Sequence, residues 1–215
     1  MLIESVPLWF AQTNAYVVAP RTGAMAVLID APPSPSDLLP LMAANSLIPV
    51  ALLITHGHVD HVGGAGELVR DLGIRAYVHP GDDFLTLDPE AQLRGLFGML
   101  PPGDFEPPER FEALTDGLRL QLADLVFEVL HTPGHTPGHC CFLVEEEGFL
   151  FSGDQLFAGS IGRTDLPGGD FPTLMDSMTR KILPLEDQVE VLPGHGPRTT
   201  LGRERRTNPF LVNIA

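Results

Sequence analysis

Thr55-His56-Gly57-His58-Val59-Asp60-His61-Val62-Gly63-Gly64 places three imidazoles and a carboxylate within six residues, as H-x-H-x-D-H. Ahead of it, Pro49-Val50-Ala51-Leu52-Leu53-Ile54 is an apolar run of the length a buried strand has. Behind it, Gly63-Gly64 opens a helical pattern with Leu68, Val69 and Leu72 on one face, closed by Gly73. The histidines therefore sit on the loop leaving a core strand, where side chains project from a rigid edge into a crevice. A lone histidine would read as a core residue satisfied by a carbonyl. Three of them with Asp60, between a strand and a glycine pair, read as a metal loop. Imidazole and carboxylate without thiolate suit zinc first, with iron or manganese as alternatives. Four donors this close cannot comfortably surround one ion, so they divide between two, which requires further ligands downstream.

Outward from this loop the chain reads as alternating β and α segments. Residues 2–10, 15–19 and 25–30 are β-rich, and Asp30 ends the third either as a simple turn residue or as a carboxylate that orients the metal loop from behind. Ser34 or Ser36 can cap a helix reaching Ala44. A strand at 74–78 closes on His79-Pro80, with His79 structural or superficial. Residues 82–117 are the least regular. There 89–99 is helix-compatible, 101–108 is too proline-rich for regular structure, and the whole is either a lid or binding loop or a surface insertion. Strands resume at 118–122 and 125–131, followed by a hairpin of 140–144 and 149–153 turned by Glu145-Glu146-Glu147-Gly148. An amphipathic helix at 173–183 and a strand at 189–192 complete the pattern. Donor loops after strands occur in both halves, which fits a two-halved sandwich of class α/β.

Composition narrows the function. The 215 residues suffice for one large domain, 1–215, with a substantial core. Net charge is −15, from 28 acids against 13 bases. Phosphate binding needs a basic footprint, so nucleic acid is not an expected partner. The two cysteines, Cys140 and Cys141, are adjacent and cannot staple distant segments; they read as buried small hydrophobes. Met1-Leu2-Ile3-Glu4 lacks a basic leader and no apolar run approaches a membrane span, so a cytoplasmic protein without a membrane partner is expected.

The missing ligands lie in three more loops at strand ends: His131-Thr132-Pro133-Gly134-His135-Thr136-Pro137-Gly138-His139, Ser152-Gly153-Asp154, and Pro193-Gly194-His195-Gly196. Together with T-H-x-H-x-D-H these motifs resemble the metallo-β-lactamase superfamily. That resemblance implies an αββα sandwich: two mixed sheets with helices on the outer faces and metals at one edge. It also implies that His56, His58 and His135 hold one ion, that Asp60, His61 and His195 hold the other, and that Asp154 bridges them. His131 reads as a strand-end residue or one behind the ligands, and His139 is assigned no ligand role. Three donors per ion leave open positions, as a catalytic site requires. A bridging hydroxide then becomes available near neutrality, with Asp60 placed to orient it as well as to bind metal. No G-x-S-x-G, Walker loop or nucleophilic triad competes.

The substrate is read from Gly162-Arg163-Thr164-Asp165 and from Gly202 through Thr207-Asn208-Pro209-Phe210. G-R-T-D and G-x-E-x-x-T-N-P-F resemble the glyoxalase II (hydroxyacylglutathione hydrolase) branch, most of all its small bacterial members. The resemblance implies hydrolysis of a small-molecule thioester such as S-lactoylglutathione. One departure matters. Val212 stands where longer members of that branch carry an arginine, and the helical extension with their glutathione contacts has no counterpart here. Basic residues persist at Arg198, Arg203, Arg205 and Arg206. Arg206 is a candidate substrate contact, with a solvated basic turn as the alternative for this segment. Arg163 is either a substrate contact or a partner of Asp165 or Asp170. Two other classes remain open: a mono-iron persulfide dioxygenase using His56, His135 and Asp154, and a non-catalytic, metal-stabilised binding module.

Overall fold

A computed structural model describes every residue except Pro102, Asp104, Asn213 and Ala215. In the first sheet β1 (Leu2–Leu8), β2 (Thr13–Ala19), β3 (Met25–Ile29), β4 (Ile48–Leu53), β5 (Arg75–Val78) and β6 (Phe111–Ala113) lie in sequence order, antiparallel through β3 and parallel beyond it. The second sheet begins with β7 (Arg119–Leu122), β8 (Leu125–His131), β9 (Cys140–Val144) and β10 (Phe149–Gly153). A small hairpin of β11 (Leu156–Phe157) and β12 (Ser160–Ile161) follows, then β13 (Glu190–Pro193) and β14 (Thr199–Thr200). Its spatial order is β14-β13-β10-β9-β8-β7, with β10 and β13 parallel. The helices are α1 (Leu38–Ala44), α2 (Val59–Val62), α3 (Ala65–Leu72), α4 (Asp83–Thr86), α5 (Pro89–Phe97), α6 (Phe171–Ser177) and α7 (Leu201–Thr207).

Side chains alternate across a strand, so each apolar strand serves two layers. Val18, Val27, Ile29 and Leu53 of the first sheet meet Phe127, Phe142, Phe151 and Leu192 of the second between the sheets. Their neighbours Val17, Leu28 and Leu52 face outward against Leu38, Met42 and Leu68 of α1 and α3. On the far side Leu143, Leu150 and Val191 pack against Leu174 and Leu201 of α6 and α7. The adjacent cysteines obey the same rule. Cys140 enters the layer between the sheets, Cys141 the outer layer, and both are buried thiols. These four layers are the expected αββα sandwich.

Several local expectations are corrected. The first strand stops at Leu8 because Trp9 turns into the left-handed region at φ 57. Neither serine caps α1: Ser34 is itself left-handed, makes no side-chain cap, and a 3-10 turn over Pro35–Asp37 intervenes. The helix expected at 173–183 is α6 from Phe171 to Ser177, continued by a π turn over Met178–Ile182. The 82–117 region contains α4, α5 and an edge strand, β6, that the sequence does not announce. Within 101–108, Pro102 and Asp104 lie outside the described residues. Of the basic segment, Arg203, Arg205 and Arg206 lie on the helix α7, whose N-cap Thr200 side chain accepts from the Arg203 N–H, rather than on a turn, and Arg198 precedes it. Among the described residues no helix is long and apolar enough to cross a membrane.

Candidate metal centre

Four loops converge at one edge of the sandwich, after β4, between β8 and β9, after β10 and after β13. Their hydrogen bonds fix which nitrogen of each histidine faces inward. The buried Thr55 hydroxyl donates to Asp30 at 2.9 Å, so it can only accept from His56 Nδ1 at 3.1 Å. His135 Nδ1–H donates to the Arg163 carbonyl at 2.7 Å. Both rings therefore turn bare Nε2 lone pairs inward, only 3.2 Å apart. His58 Nδ1 completes a triangle at 3.0 and 2.9 Å from them. Two acceptors facing each other at 3.2 Å are repulsive unless a cation lies between them. The spacing suits one, since tetrahedral nitrogen ligands at about 2.0–2.1 Å from a metal stand roughly 3.3 Å apart.

A second group forms beside it. His61 Nδ1–H donates to Asp30 at 2.8 Å, which directs Nε2 to within 3.4 Å of Asp154 Oδ1 and 3.5 Å of Asp60 Oδ2. His195 Nε2 lies 3.3 Å from Asp60 Oδ2 and 3.6 Å from Asp154 Oδ2. Asp154 Oδ2 also reaches to 3.5 Å from His135 Nε2, so this carboxylate touches both groups. His61 Nε2 and Asp154 Oδ1 are buried with no hydrogen-bond partner. Orphaned polar atoms cost about 1–3 kcal/mol each, and here they point at the same space. The donor set fits two metal ions: His56, His58 and His135 for one, Asp60, His61 and His195 for the other, with Asp154 between.

Electrostatics agrees in sign. Burial alone would keep Asp60 and Asp154 neutral, yet the neighbouring His61 and His195, joined at Asp154 by His135, hold both carboxyls well below the usual range. Burial opposes charge on His61, but Asp154, Asp60 and Asp30 raise it well above the ordinary imidazole value. Burial likewise opposes charge on His195, which Asp60 and Asp154 raise. On the other side burial, then His135, pushes His58 down to about 3, and burial with His61 and His135 lowers His56. The carboxylates demand positive charge between them, which a proton on His61 or a metal cation meets alike. Burial and the neighbouring imidazoles thus disfavour charge on His56 and His58, and neutral rings are what a metal ion requires.

Residues around the ligands hold this geometry. Asp30, also left-handed at φ 61, accepts the Thr55 N–H at 2.8 Å besides the bonds above, so it orients two ligands rather than merely ending a strand. Thr13 Oγ1–H donates to Asp60 Oδ2 at 2.9 Å. Any side chain at Gly194 would strike Asp154 and His61, which explains glycine ahead of His195. His139 takes no place among the ligands, but it has a task the sequence reading missed: its Nε2 accepts the Asp154 N–H at 3.0 Å. Also missed was Asp82, fully buried, which accepts from Gly57 N–H at 2.8 Å, Thr136 Oγ1–H at 2.7 Å and Gly138 N–H at 2.6 Å. It ties the His56–His61 loop to the His135 loop. His79 caps its own turn and stacks on His131 at 4.0 Å, away from the donors.

The centre opens into a cavity of about 650 Å³. His58, Asp60, His135, Asp154 and His195 contribute to its lining, with Trp9 and Phe10 on one wall and Leu85, Leu96 and Phe97 from α4 and α5 on another. Part of the 82–117 region is thus a cavity wall. Arg163 lines the cavity, but its guanidinium grips Asp165 in a two-pronged contact at 2.7 Å, the alternative foreseen for it. Arg206 does not line the cavity. It sits on α7, 3.6 Å from Asp187, because the helix directs its last turn toward that acid. Arg205 contacts Asp187 and the Leu183 and Leu185 carbonyls, and Arg198 pairs with Glu190.

Comparison with known proteins gives a consistent neighbourhood. The model of the metallo-beta-lactamase superfamily matches residues 8–199. Hydroxyacylglutathione hydrolase GloC of Haemophilus influenzae is 38% identical over 211 residues, spanning 98% of each chain. Among solved structures, TTHA1623 in a di-iron-bound form is 46% identical, with a TM-score of 0.86 over 97% of this chain and 100% of that one. The BLEG-1 B3 metallo-beta-lactamase is 38% identical, with a TM-score of 0.88 over 98% and 99%.

Proposed function

The chain belongs to the metallo-β-lactamase superfamily, and from that premise we propose that it is a dinuclear metal-dependent hydrolase that cleaves thioesters. One observation carries the reading: two groups of donors share Asp154 and open into the same cavity. When bound, a pair of transition-metal ions supplies an acidified water and polarises the carbonyl under attack. The di-iron form of a relative favours iron, and the imidazole-rich set suits zinc equally. Asp60, which lines the cavity and is kept ionised, orients the attacking water by accepting its hydrogen bond. His61 is held for its task by Asp30, and apolar side chains flank the cavity above it.

In the reaction the water oxygen bonds to the acyl carbon and the carbon–sulfur bond breaks, its electron pair leaving on sulfur. The products are a carboxylic acid and a thiol. A thiolate leaves without a strong general acid, since its pKa is about 8.5, whereas an amide nitrogen needs protonation. Among the described residues the cavity offers no cationic acid beyond the metal groups and the Asp165-bound Arg163. This favours thioesters, including the hydroxyacylglutathione class named by the Haemophilus relative, over β-lactams. The second donor group, Asp60, His61 and His195, favours two ions over the single iron of a persulfide dioxygenase.

Metal analysis and thiol release test the proposal together. The purified chain is expected to hold close to two transition-metal ions and to release thiol from S-lactoylglutathione. His58→Ala is expected to lower that rate at least about 10³-fold while far-UV circular dichroism stays unchanged. A chain that holds two ions and hydrolyses no thioester overturns the activity; one ion with oxygen consumption on a persulfide substrate replaces it.

A further inference from the structure

Resting on the thioester reading, we infer that the cavity selects the acyl group, and that the substrate is a thioester of a hydrophobic acid whose thiol part stays near solvent. The wall chemistry carries this. Trp9, Phe10, Leu85, Leu96, Phe97 and Leu166 form the sides above the metal groups. Phe10 is 62% exposed, Leu96 55% and Phe97 45%. Contiguous exposed apolar side chains around a site mark a surface awaiting an apolar partner.

The polar groups on the same walls are already committed. Gln92 spends its amide on the Gly57 and Leu85 carbonyls and the Val59 N–H, at 2.8, 2.9 and 3.1 Å. The Arg163 guanidinium is occupied by Asp165. Among the described residues of these walls, a peptide-like thiol with carboxylates and an ammonium finds no unpaired counter-charge. Burying its ions there would be strongly unfavourable. An alkyl or aryl acyl chain meets no such penalty.

The backbone adds a second line. Trp9 and Gln12 both sit in the left-handed region, at φ 57 and 56, inside the turn between β1 and β2. Such a conformation is costly for bulky residues. Its effect here is to set Trp9 against Phe10, ring centroids 3.9 Å apart and tilted by 48°, and to bring Phe10 edge-on to Phe97 at 5.3 Å, closing one side of the cavity mouth. Two segments far apart in sequence thus join in one aromatic rim.

Straight-chain acyl thioesters of N-acetylcysteamine, an uncharged thiol, with two to eight acyl carbons provide the test on the metal-loaded full chain. Each added methylene is expected to raise kcat/KM up to about fourfold, equivalent to about 0.8 kcal/mol, until the cavity is filled. S-lactoylglutathione is expected to lag through a high KM. Phe97→Ser is expected to flatten the slope. Binding gives an independent readout, because Trp9 is the chain's sole tryptophan: S-alkyl thioethers of the same thiol should perturb its emission at concentrations that fall with alkyl length. Thiol release that is flat or falls with chain length, with thioether affinity equally flat, overturns the acyl selection and leaves thioester hydrolysis standing. Length-dependent thioether binding with no thiol released from any ester overturns the hydrolase reading and, with it, the substrate class.

Discussion

Asp30 shows how much of the centre lies behind the ligands themselves. It accepts from Thr55 and His61, and through Thr55 it sets the His56 ring. Carboxylates behind metal-binding histidines typically contribute 10–100-fold in affinity. Asp30→Asn is therefore expected to weaken metal binding roughly 10–100-fold, read by competition with a chromogenic chelator, with circular dichroism unchanged. Unaltered affinity would show that the strained carboxylate serves the fold alone. The clustered donors were legible because each lies in a loop that leaves an apolar strand run. His139 and Thr13 were not, because their partners Asp154 and Asp60 lie 15 and 47 residues away and no periodicity links them. Arg206 misled for the opposite reason: a charge visible in sequence was already matched by Asp187 in space.

Among the elements, β9 and β10 could be read to the residue, since two short apolar runs, buried on both faces, flank a Gly148 turn at φ 71. The strand β6 could not, because three residues at a sheet edge are too few to show alternation. The segment just before α4 holds the most consequential element-level feature, Asp82. Its carboxyl is raised above the usual range, with burial the leading cause and the three donors opposing it. Asp82→Ala leaves the Gly57 and Gly138 N–H groups buried without acceptors. At about 1–3 kcal/mol per unsatisfied donor, a loss of about 3 kcal/mol follows, and Tm should fall by roughly 6–12 °C. Melting the metal-free protein isolates this effect from metal binding. An unchanged Tm would mean that the two histidine loops hold each other without the clamp.

At the scale of the molecule, the ligands come from both sheets: His56 to His61 follow β4 in one, while His135, Asp154 and His195 follow strands of the other. Bound metal therefore cross-links the sandwich. With free metal at 1,000 times its dissociation constant, one site adds about 4 kcal/mol, or roughly 8–16 °C in Tm. Calorimetry before and after chelation should show that drop, and restoring metal should reverse it; a Tm insensitive to chelation would show that the sheets hold their alignment unaided. A two-halved sandwich was legible because the apolar runs are strand-length and separated by turn residues, whereas its four layers and the pairing of loops across the sheets came only with the family resemblance of the motifs. That wide separation also gives the site a birth time. Between His56 and His195 lie 139 steps of chain, roughly 7–28 s of synthesis at about 5–20 residues per second. From His61 until His135 a nascent chain carries three imidazoles and Asp60 as an incomplete chelate, able to catch an ion and to lose it again. His135 completes the first group, and only arrival of the Pro193–Gly196 loop completes the second, so lasting capture of the second ion reports that translation has passed it and that the two halves have docked.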